Sequence, residues 1–432
     1  MSPSRALYSL LAWLALPGLS LLIAWRSLRD RNYARGWSAR FGRGGALAGS
    51  ARSIWLHAVS VGEVQAASAL LGALRAAYPQ TPVVITCATP AGRERARAIA
   101  DALVDVRYAP YDLGTCVRGA ISRLRPAVLV IMETELWPNL LAGCAHAGVP
   151  VLIASARLSE RSLRRLQHFP GLLQPALRSA VTVAAQSTAD AARFAALGVP
   201  AARVSVCGNI KFDRTPGAEL RAAGAALRAR FAPGRLLWVA GSTHRGEESA
   251  ALAAHAALRA GGSAAQRAAL LVLAPRHKPR FDEVAGLLAS GTLSWRRFSQ
   301  VPAGDADAGN EPAVLLLDTI GDLERCYAAA DLAFVGGSLV PVGGHTLLEP
   351  AALGVPVIAG PFQSAAPQVA SELAAAGAAK IVGSAAELVA AVPALAADER
   401  ARQVMSQAGL AVVAANRGAL LRVMTLLRAW LG

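Results

Sequence analysis

From residue 53 onward, short apolar runs alternate with alanine-rich stretches of helical character. The runs are continuous rather than alternately apolar and polar, which is typical of parallel strands covered by helices on both faces. Seven predicted strands lie in the first half of the chain, at residues 53–59, 82–87, 106–109, 127–132, 149–154, 181–185 and 204–207. Six more lie in the second half, at residues 236–240, 269–273, 313–317, 332–335, 355–359 and 378–382. The pattern predicts an α/β protein with two doubly wound, Rossmann-like domains.

The strand pattern lapses between residues 211 and 235, where a charged helical stretch ends in Pro233-Gly234. We therefore predict an N-terminal domain at residues 36–212, a linker at residues 213–235 and a C-terminal domain at residues 236–432. A polar loop at residues 303–312 precedes the strand that begins at residue 313. Ligands of open α/β sheets bind beyond the carboxyl ends of the strands, so the residues that follow each strand are the candidates for chemistry.

Residues 7–25 carry no charged side chain. As a helix they would be about 28 Å long, close to the thickness of a bilayer's hydrocarbon core. We predict that residues 1–30 form an N-terminal membrane anchor, which either spans the bilayer or lies in its interface. The arginines that follow would keep the rest of the chain in the cytoplasm: they are Arg26, Arg29, Arg31, Arg35, Arg40 and Arg43. A cleaved signal peptide is disfavoured because a small-residue cleavage site is hard to place.

The net charge is +16, with 41 arginines and only three lysines, and it indicates an anionic partner. Aromatic residues make up only 5% of the chain, and no nucleic-acid-binding motif is found, so base-stacking surfaces are not expected. We therefore predict an anionic lipid surface, and no nucleic acid, as the partner. The five cysteines are scattered singly and lack metal-ligand spacing, which predicts reduced core residues and no metal site.

Residues 343–361 combine a glycine turn, a helix start and an internal carboxylate, Glu349. Glycines let a ligand approach the backbone, and the free N–H groups of a first helical turn favour a phosphate. Glu349 could accept hydrogen bonds from a ribose. An ordinary helix-to-strand connection explains the same residues equally well.

Several carboxylates and cations also follow predicted strands. Ser60-x-x-Glu63 reads locally as a helix capping box, with a general base at Glu63 as the alternative. Glu133 and Glu135 follow a buried strand, where paired acids favour a function. Lys211 either reaches the presumed crevice between the two domains or pairs with Asp213.

A basic run, Arg276-His277-Lys278, follows a strand in the second half and favours a phosphate or carboxylate site over an exposed basic turn. Residues 319–323 end another strand and could offer backbone groups to a nucleoside. The chain has neither a Walker A loop, nor a G-x-G-x-x-G turn after its first strand, nor a G-x-S-x-G elbow.

Together the motifs HAVSVGE, METELWPN, GNIKFD, GSTHRGEE, APRHKPRF, DTIGDL and GGHTLLEPAALGVPV, with RGWSARFG after the anchor, resemble the family of 3-deoxy-D-manno-octulosonic acid (Kdo) transferases. The likeness runs in order along essentially the whole chain. It implies a GT-B fold, in which two Rossmann-like domains face a central crevice. It also implies a cofactor- and metal-independent enzyme at the cytoplasmic face of the cell inner membrane. Such an enzyme passes Kdo from CMP-Kdo to the lipid A precursor (lipid IVA) in lipopolysaccharide biosynthesis.

The resemblance also implies roles for individual residues. Glu63 would be the general base of an inverting transfer, with Glu133 and Lys211 supporting the transition state. The nucleotide site would comprise Arg276, His277, Ile320, Gly321, Asp322, His345, Thr346, Leu347, Leu348 and Glu349. The chain departs from the family pattern at Thr346 and Leu347, where Asn and Pro are more usual, and at Asp322, where many members have Glu. The alternatives are another sugar-nucleotide transferase or epimerase of the same architecture, and a non-catalytic lipid-A-binding protein.

Overall fold

The computed structural model of the protein describes residues 2–29, 36–47, 51–213, 216–261, 263–301, 312–364 and 366–432. Arg31, Arg35 and nearly all of the polar loop at residues 303–312 lie outside the described residues. The chain forms two compact units. Unit 1 comprises Met1–Asp213 and Asn416–Gly432, and unit 2 comprises Arg214–Ala415.

Unit 1 contains a seven-stranded parallel sheet in the order β3-β2-β1-β4-β5-β6-β7. Its strands are β1 Ser53–His57, β2 Val83–Cys87, β3 Val104–Tyr108, β4 Pro126–Met132, β5 Val151–Ala156, β6 Val181–Ala185 and β7 Val204–Val206. Its helices are α1 Pro3–Arg29, α2 Trp37–Arg40, α3 Val61–Ala77, α4 Pro90–Ala98, α5 Gly114–Leu124, α6 Pro138–His146, α7 Glu160–Gln167, α8 Pro170–Ala180, α9 Thr188–Leu197 and α19 Ala419–Leu431, with 3₁₀ turns at Ala201–Arg203 and Ile210–Phe212.

Unit 2 contains a second seven-stranded parallel sheet in the order β10-β11-β9-β8-β12-β13-β14. Its strands are β8 Leu237–Thr243, β9 Leu270–Pro275, β10 Trp295–Arg297, β11 Val314–Leu316, β12 Leu332–Val335, β13 Val357–Ala359 and β14 Ala379–Ile381. Its helices are α10 Ala218–Phe231, α11 Glu247–Arg259, α12 Ala264–Arg267, α13 Phe281–Ala289, α14 Leu323–Ala329, α15 Leu348–Ala352, α16 Pro367–Ala375, α17 Ala385–Ala397 and α18 Glu399–Ala415, with 3₁₀ turns at Lys278–Arg280 and Phe298–Gln300.

The predicted α/β class with two parallel sheets is confirmed. Both faces of each sheet are covered, and β1 shows the consequence for its side chains. Ile54 and Leu56 pack into one hydrophobic core with α3, whereas Trp55, between them, packs into the core on the opposite face. Side chains of successive strand residues point to opposite faces, so an unbroken apolar run is what a doubly covered strand requires. The five cysteines are all buried, as predicted.

The unit boundaries differ from the sequence-based domain boundaries at two places. Most of the predicted linker forms α10, which packs against α14 so closely that a Cβ on Gly224 would lie 2.5 Å from that of Ala328. Residues 416–432, predicted as part of the C-terminal domain, belong to unit 1. There Val423 and Leu427 of α19 pack into the core formed by β1 and α3. The apolar face of α19 is buried in unit 1, and this contact decides its assignment.

The predicted anchor is a single helix, α1, which continues through Pro17. Among the described residues, Pro3–Leu28 and Glu399–Leu431 are long and apolar enough to cross a membrane. The second stretch includes α19, whose apolar side chains lie in the core of unit 1. Near its start, α1 is attached to the rest of unit 1 by hydrogen bonds from Tyr8 to Asp112 (2.9 Å) and from Ser9 to Asn139 (3.1 Å). Large apolar side chains along the rest of α1 are exposed, including Leu14, Leu21 and Leu28.

Candidate functional sites

Glu63 lies in the first turn of α3, directly beyond the carboxyl end of β1. The predicted capping box is present: the Ser60 hydroxyl accepts the Glu63 N–H at 3.3 Å, and the Glu63 carboxylate accepts the Ser60 N–H at 3.4 Å. The same oxygen, Oε2, accepts the Val59 N–H at 2.6 Å. Oε1 has no hydrogen-bond partner among the described residues. One carboxylate can therefore cap the helix with one oxygen and present the other to a substrate hydroxyl.

The surroundings of Glu63 favour its protonated form. Burial is the largest cause, followed by the negative charge of Glu135 and, more weakly, that of Glu133. Hydrogen bonds from the Val59 and Ser60 N–H groups act in the opposite direction. The net effect raises the pKa of Glu63 to about 7. A carboxylate with a pKa near neutrality is well matched to general-base catalysis at physiological pH.

We expect Glu63→Gln to raise the melting temperature at pH 8 by several degrees, with little change at pH 4. The pKa of Glu63 is about 7 in the folded protein and near 4.5 ordinarily, so the folded state favours the protonated form and the charge destabilises it above pH 7. Each pKa unit corresponds to about 1.4 kcal/mol, and glutamine removes the charge. Scanning calorimetry at the two pH values measures the effect. Exposed Glu94→Gln is the control, and an equal shift at both pH values would contradict the pKa.

Glu133 follows β4 and forms an ion pair with Lys211, with Nζ 2.6 Å from Oε1. Its backbone has a φ of 59°, an uncommon conformation for a residue other than glycine and one concentrated at functional sites. Lys211 follows β7, three strands from β4 in the sheet. It reaches Glu133 because the chain turns back along the sheet edge after β7. The Cys207 N–H donates a hydrogen bond to the Ala185 carbonyl at the end of β6, and the Ile210 N–H donates to the Ser155 hydroxyl in β5.

The proposed pairing of Lys211 with Asp213 is not what the structure shows. The Asp213 carboxylate instead accepts the N–H groups of Gly418 (2.6 Å) and Leu420 at the start of α19. A carboxylate at a helix N-terminus satisfies N–H groups that have no partner within the helix. Asp213 therefore binds the start of α19, and Lys211 forms its ion pair with Glu133.

Glu135 accepts a hydrogen bond from a tryptophan, a contact that was not predicted from the sequence. The Trp137 indole N–H donates to Glu135 Oε2 at 2.7 Å, and the Trp137 ring lies edge-to-face on His57 at 4.6 Å between centroids. His57 is completely buried, and burial lowers its pKa to about 3, so the imidazole is neutral. The motifs HAVSVGE and METELWPN contain these residues, but their sequence gives no sign that the two motifs are in contact.

In unit 2, three histidines and Arg276 come together beyond the carboxyl ends of β8, β9 and β12. The His244 and His345 rings are stacked, with centroids 5.3 Å apart and the two Nε2 atoms 3.0 Å apart. His277 contacts His244 edge-to-face at 5.4 Å. Burial and then the charge of Arg276 lower the pKa of His345 to about 4, and burial also lowers that of His244. Both rings are therefore neutral at pH 7, and Arg276 supplies a fixed positive charge.

Glu247 holds this histidine cluster together. It is almost fully buried, and its carboxylate accepts four backbone N–H groups, those of His244 (2.8 Å), Gly337 (2.7 Å), Ser338 (3.0 Å) and Leu339 (2.9 Å). The loop after β12 is thus fixed to the loop after β8. Glu247 lies in the GSTHRGEE motif, but it was not among the residues predicted from the sequence to form a site.

The predicted nucleotide segment, residues 343–361, contains one short helix. Only Leu348–Ala352 is helical, and the Thr346 hydroxyl accepts the Leu348 N–H at 3.3 Å. The short helix ends before Gly354, which adopts a φ of 78° that favours glycine. Leu347 and Leu348 are buried and can serve a ligand only through their backbone, whereas Glu349 is half-buried. A cavity of about 510 Å³ is lined by Gly343, Pro361, Phe362 and Gln363.

Ile320, Gly321 and Asp322 form the turn between β11 and α14. Ile320 is 62% exposed, and Gly321 has a φ of 97°. Asp322 accepts a hydrogen bond from the Thr319 hydroxyl and pairs with Arg325 at 3.0 Å, so its carboxylate stabilises the turn. The turn follows β11, which pairs with β9, and it therefore belongs to the same sheet edge as Arg276 and His277.

Comparisons with known proteins agree with this architecture. The sequence profile of the family described as 3-Deoxy-D-manno-octulosonic-acid transferase (kdotransferase) matches residues 35–214. The chain is 39% identical over 432 residues to the 3-deoxy-D-manno-octulosonic acid transferase of Bordetella pertussis, covering 97% of this chain and 98% of the relative. It is 36% identical over 430 residues to that of Haemophilus influenzae, covering 99% of each.

Two solved structures show the same fold at low identity. MurG of Acinetobacter baumannii has a TM-score of 0.55 and 15% identity, covering 88% of this chain and all of that one. UDP-GlcNAc 2-epimerase of Neisseria meningitidis has a TM-score of 0.57 and 14% identity, covering 87% of this chain and all of that one. The predicted GT-B fold is confirmed. The extent and identity of the two sequence matches show that this chain belongs to the family of 3-deoxy-D-manno-octulosonic acid (Kdo) transferases, which are glycosyltransferases.

Proposed function

We propose that this protein transfers Kdo from CMP-Kdo to the lipid A precursor lipid IVA with inversion at the anomeric carbon, and that Glu63 is the general base. The observation that carries the proposal is the state of Glu63. Its pKa is raised to about 7, one of its oxygens is engaged by the helix cap, and the other has no partner among the described residues. A base in this state can take the proton of an acceptor hydroxyl as that hydroxyl attacks the donor.

Lys211 provides a positive charge beside Glu133, whose own charge acts on Glu63. Kdo carries a carboxylate, and negative charge grows on the departing CMP phosphate during transfer. A lysine held by a neighbouring carboxylate is oriented before the substrate arrives, which is how preorganised charge stabilises a transition state. Glu133 therefore acts as a positioning residue for Lys211.

In unit 2 we assign the donor nucleotide to the cluster of Arg276, His277 and His345 with the turns at residues 320–322 and 345–349. Arg276 can bind a phosphate through two N–H groups, and the histidine side chains can form hydrogen bonds through their ring nitrogens. Thr346 offers a hydroxyl and Glu349 a carboxylate, while Leu347 and Leu348 contribute backbone groups.

Because no step of this scheme uses a Lewis acid, we expect a metal chelator to leave the transfer rate unchanged within about twofold, measured with protein freed of metal by dialysis.

We place the enzyme at the cytoplasmic face of the inner membrane, with α1 as its anchor. The exposed leucines of α1 supply an apolar surface, and each nearby arginine adds on the order of 1 kcal/mol of attraction to anionic lipid. Flotation with vesicles containing anionic lipid tests this assignment. Full-length protein should float with the vesicles, and protein lacking residues 1–29 should not.

The decisive test of the activity is mass spectrometry of lipid IVA after incubation with the purified protein and CMP-Kdo. A mass increase of one or more Kdo units is expected, and the products also count the sugars added in succession. Parallel reactions with UDP-sugars distinguish this activity from that of another sugar-nucleotide transferase. An unmodified acceptor in every reaction would refute the proposed function.

We expect Arg276→Ala to weaken the binding of CMP-Kdo by about 10- to 100-fold, because hydrogen bonds to a charged group contribute about 1.5–3 kcal/mol. Isothermal titration with CMP and with CMP-Kdo measures the loss. Arg245→Ala removes an arginine from the same unit whose side chain is 81% exposed, and it should change the affinity little. Equal affinities for wild type and Arg276→Ala would remove Arg276 from the donor site.

A further inference from the structure

Another cavity lies in unit 1, at the same sheet edge as Glu63. Its volume is about 270 Å³, and it is lined by Tyr8 of α1, Arg40 of α2, Tyr111 and Asp112 after β3, and Trp137 before α6. None of these residues was predicted from the sequence to form a binding site, and Arg40 was noted only among the arginines that follow the anchor. Because α1, α2 and the sheet edge all contribute, the cavity borders both the apolar helix and the region of the base.

Arg40 is built into this cavity. It is only 5% exposed, and its guanidinium stacks on the Tyr108 ring at 3.8 Å from the centroid. One of its terminal N–H groups donates to the Ala88 carbonyl at 3.1 Å. The segment that carries it is fixed by a hydrogen bond from the Tyr111 N–H to the Arg40 carbonyl (2.7 Å) and by an edge-to-face contact of Phe41 with Tyr111 at 5.3 Å. The RGWSARFG motif thus places the buried Arg40 in the wall of this cavity.

Two donors at this cavity are buried without an acceptor. Neither Arg40 Nε nor the Tyr111 hydroxyl has a hydrogen-bond partner within the described parts of the chain. No carboxylate of those parts lies within ion-pair distance of Arg40 either. Arginine retains its positive charge in proteins, and leaving one N–H of a buried charged group without an acceptor is costly. The arrangement is therefore complementary to a bound anionic oxygen.

The carboxylate of Asp112 also faces the cavity but is already engaged. It accepts the N–H groups of Asn139 (3.1 Å) and Leu140 (2.7 Å) at the start of α6, and the Tyr8 hydroxyl (2.9 Å). These donors disperse its charge, and they tie α1 to the loop after β3. On another side, Trp137 hydrogen-bonds Glu135, whose charge acts on Glu63. The cavity is therefore connected to the base through one tryptophan and one carboxylate.

We propose that this cavity binds a phosphate group on the sugar head of the lipid acceptor, with the Arg40 Nε–H and the Tyr111 hydroxyl as donors. The inference rests on the proposed function and adds a subsite to it. A lipid is the occupant that fits, because Tyr8 places the exposed apolar face of α1 beside the cavity and acyl chains can follow that face into the membrane. Binding the phosphate here orients the sugar so that its hydroxyl approaches Glu63.

The test compares the acceptor with and without its phosphates. For Arg40→Gln we expect the KM for phosphorylated lipid IVA to rise about 10- to 100-fold while the KM for CMP-Kdo stays unchanged, since one charge-assisted hydrogen bond is lost. With acceptor stripped of its phosphates by a phosphatase, wild type and variant should have similar KM values. Tyr111→Phe, which keeps the ring packed on Phe41, should raise the KM for the phosphorylated acceptor about 3- to 10-fold.

Arg118→Gln, which removes an exposed arginine from α5 of the same unit, is the matched control and should leave both KM values unchanged. If Arg40→Gln folds poorly by calorimetry, Tyr111→Phe carries the test alone. A KM for the phosphorylated acceptor that both variants leave unchanged, or a loss of turnover that is independent of the acceptor's phosphates, would overturn the subsite while wild-type transfer still supported the proposed function. Absence of transfer by wild type would instead overturn the proposed function, and the subsite with it.

Discussion

Replacing Glu63 by glutamine is expected to lower the turnover of Kdo transfer by about 10²- to 10⁴-fold, the range typical for loss of a general base. Glutamine can still accept the Val59 N–H through its amide oxygen, so the start of α3 should remain intact. What it loses is the ability to take a proton. Steady-state rates with saturating CMP-Kdo and lipid IVA measure the effect.

The pH dependence gives this prediction a second readout. With a pKa of about 7, Glu63 is increasingly deprotonated as the pH rises through neutrality, so wild-type kcat/KM should rise up to about pH 7 and then level off. The residual activity of Glu63→Gln should lack this ascending limb. Ser60→Ala is a control for the helix cap: it removes the hydroxyl that accepts the Glu63 N–H, should cost about 1 kcal/mol of stability and should retain most of the activity. Normal turnover in Glu63→Gln would exclude Glu63 as the base.

Replacing Lys211 by methionine is expected to lower turnover by about 10²- to 10³-fold, comparable to the loss of one preorganised group that stabilises transition-state charge. The change leaves the Glu133 carboxylate, 13% exposed, without its cation. Because the pair is only partly buried, we expect a loss of about 1–3 kcal/mol in the free energy of unfolding. The unpaired charge also acts on Glu63, so the ascending limb of the pH profile should move to higher pH.

A double variant separates the two roles of this ion pair. Glu133→Gln combined with Lys211→Met removes both charges, and it should recover most of the stability and the position of the pH limb without recovering turnover. Double-mutant cycles of this kind isolate the interaction between neighbouring groups. If the double variant regained wild-type turnover, the ion pair would serve the fold alone and Lys211 would have no part in transfer.

Much of the fold could be predicted from the sequence because the signals are local. The continuous apolar runs gave thirteen strands that are all present, with bounds that differ by a few residues. The strand that was not predicted, β10, is three residues long and contains Arg296 and Arg297, so it shows no apolar run. The capping box at Ser60 and Glu63 was also readable, since both of its hydrogen bonds connect residues three positions apart.

The sites could be predicted only in part. The rule that ligands bind beyond the carboxyl ends of strands selected Glu63, Glu133, Lys211 and Arg276, and these do lie in polar clusters at the two sheet edges. His244 and Glu247 were not selected, because their roles depend on the loop after β12, whose contacting residues lie 101 and 90 positions away. Arg40 was noted only as one of several arginines that follow the anchor, and its burial depends on Tyr108 and Tyr111.

The sequence by itself determined the two parallel sheets, the apolar N-terminal helix and the family, because periodicity and ordered motifs are properties of neighbouring residues. Only the tertiary structure decided which charges meet. It paired Lys211 with Glu133, and it brought the Asp213 carboxylate to the N–H groups at the start of α19, more than 200 residues away. It also buried Glu63 and brought Glu135 beside it, and both effects raise the pKa of Glu63. Electrostatic interactions depend on distance and burial, and neither can be read from spacing along the chain.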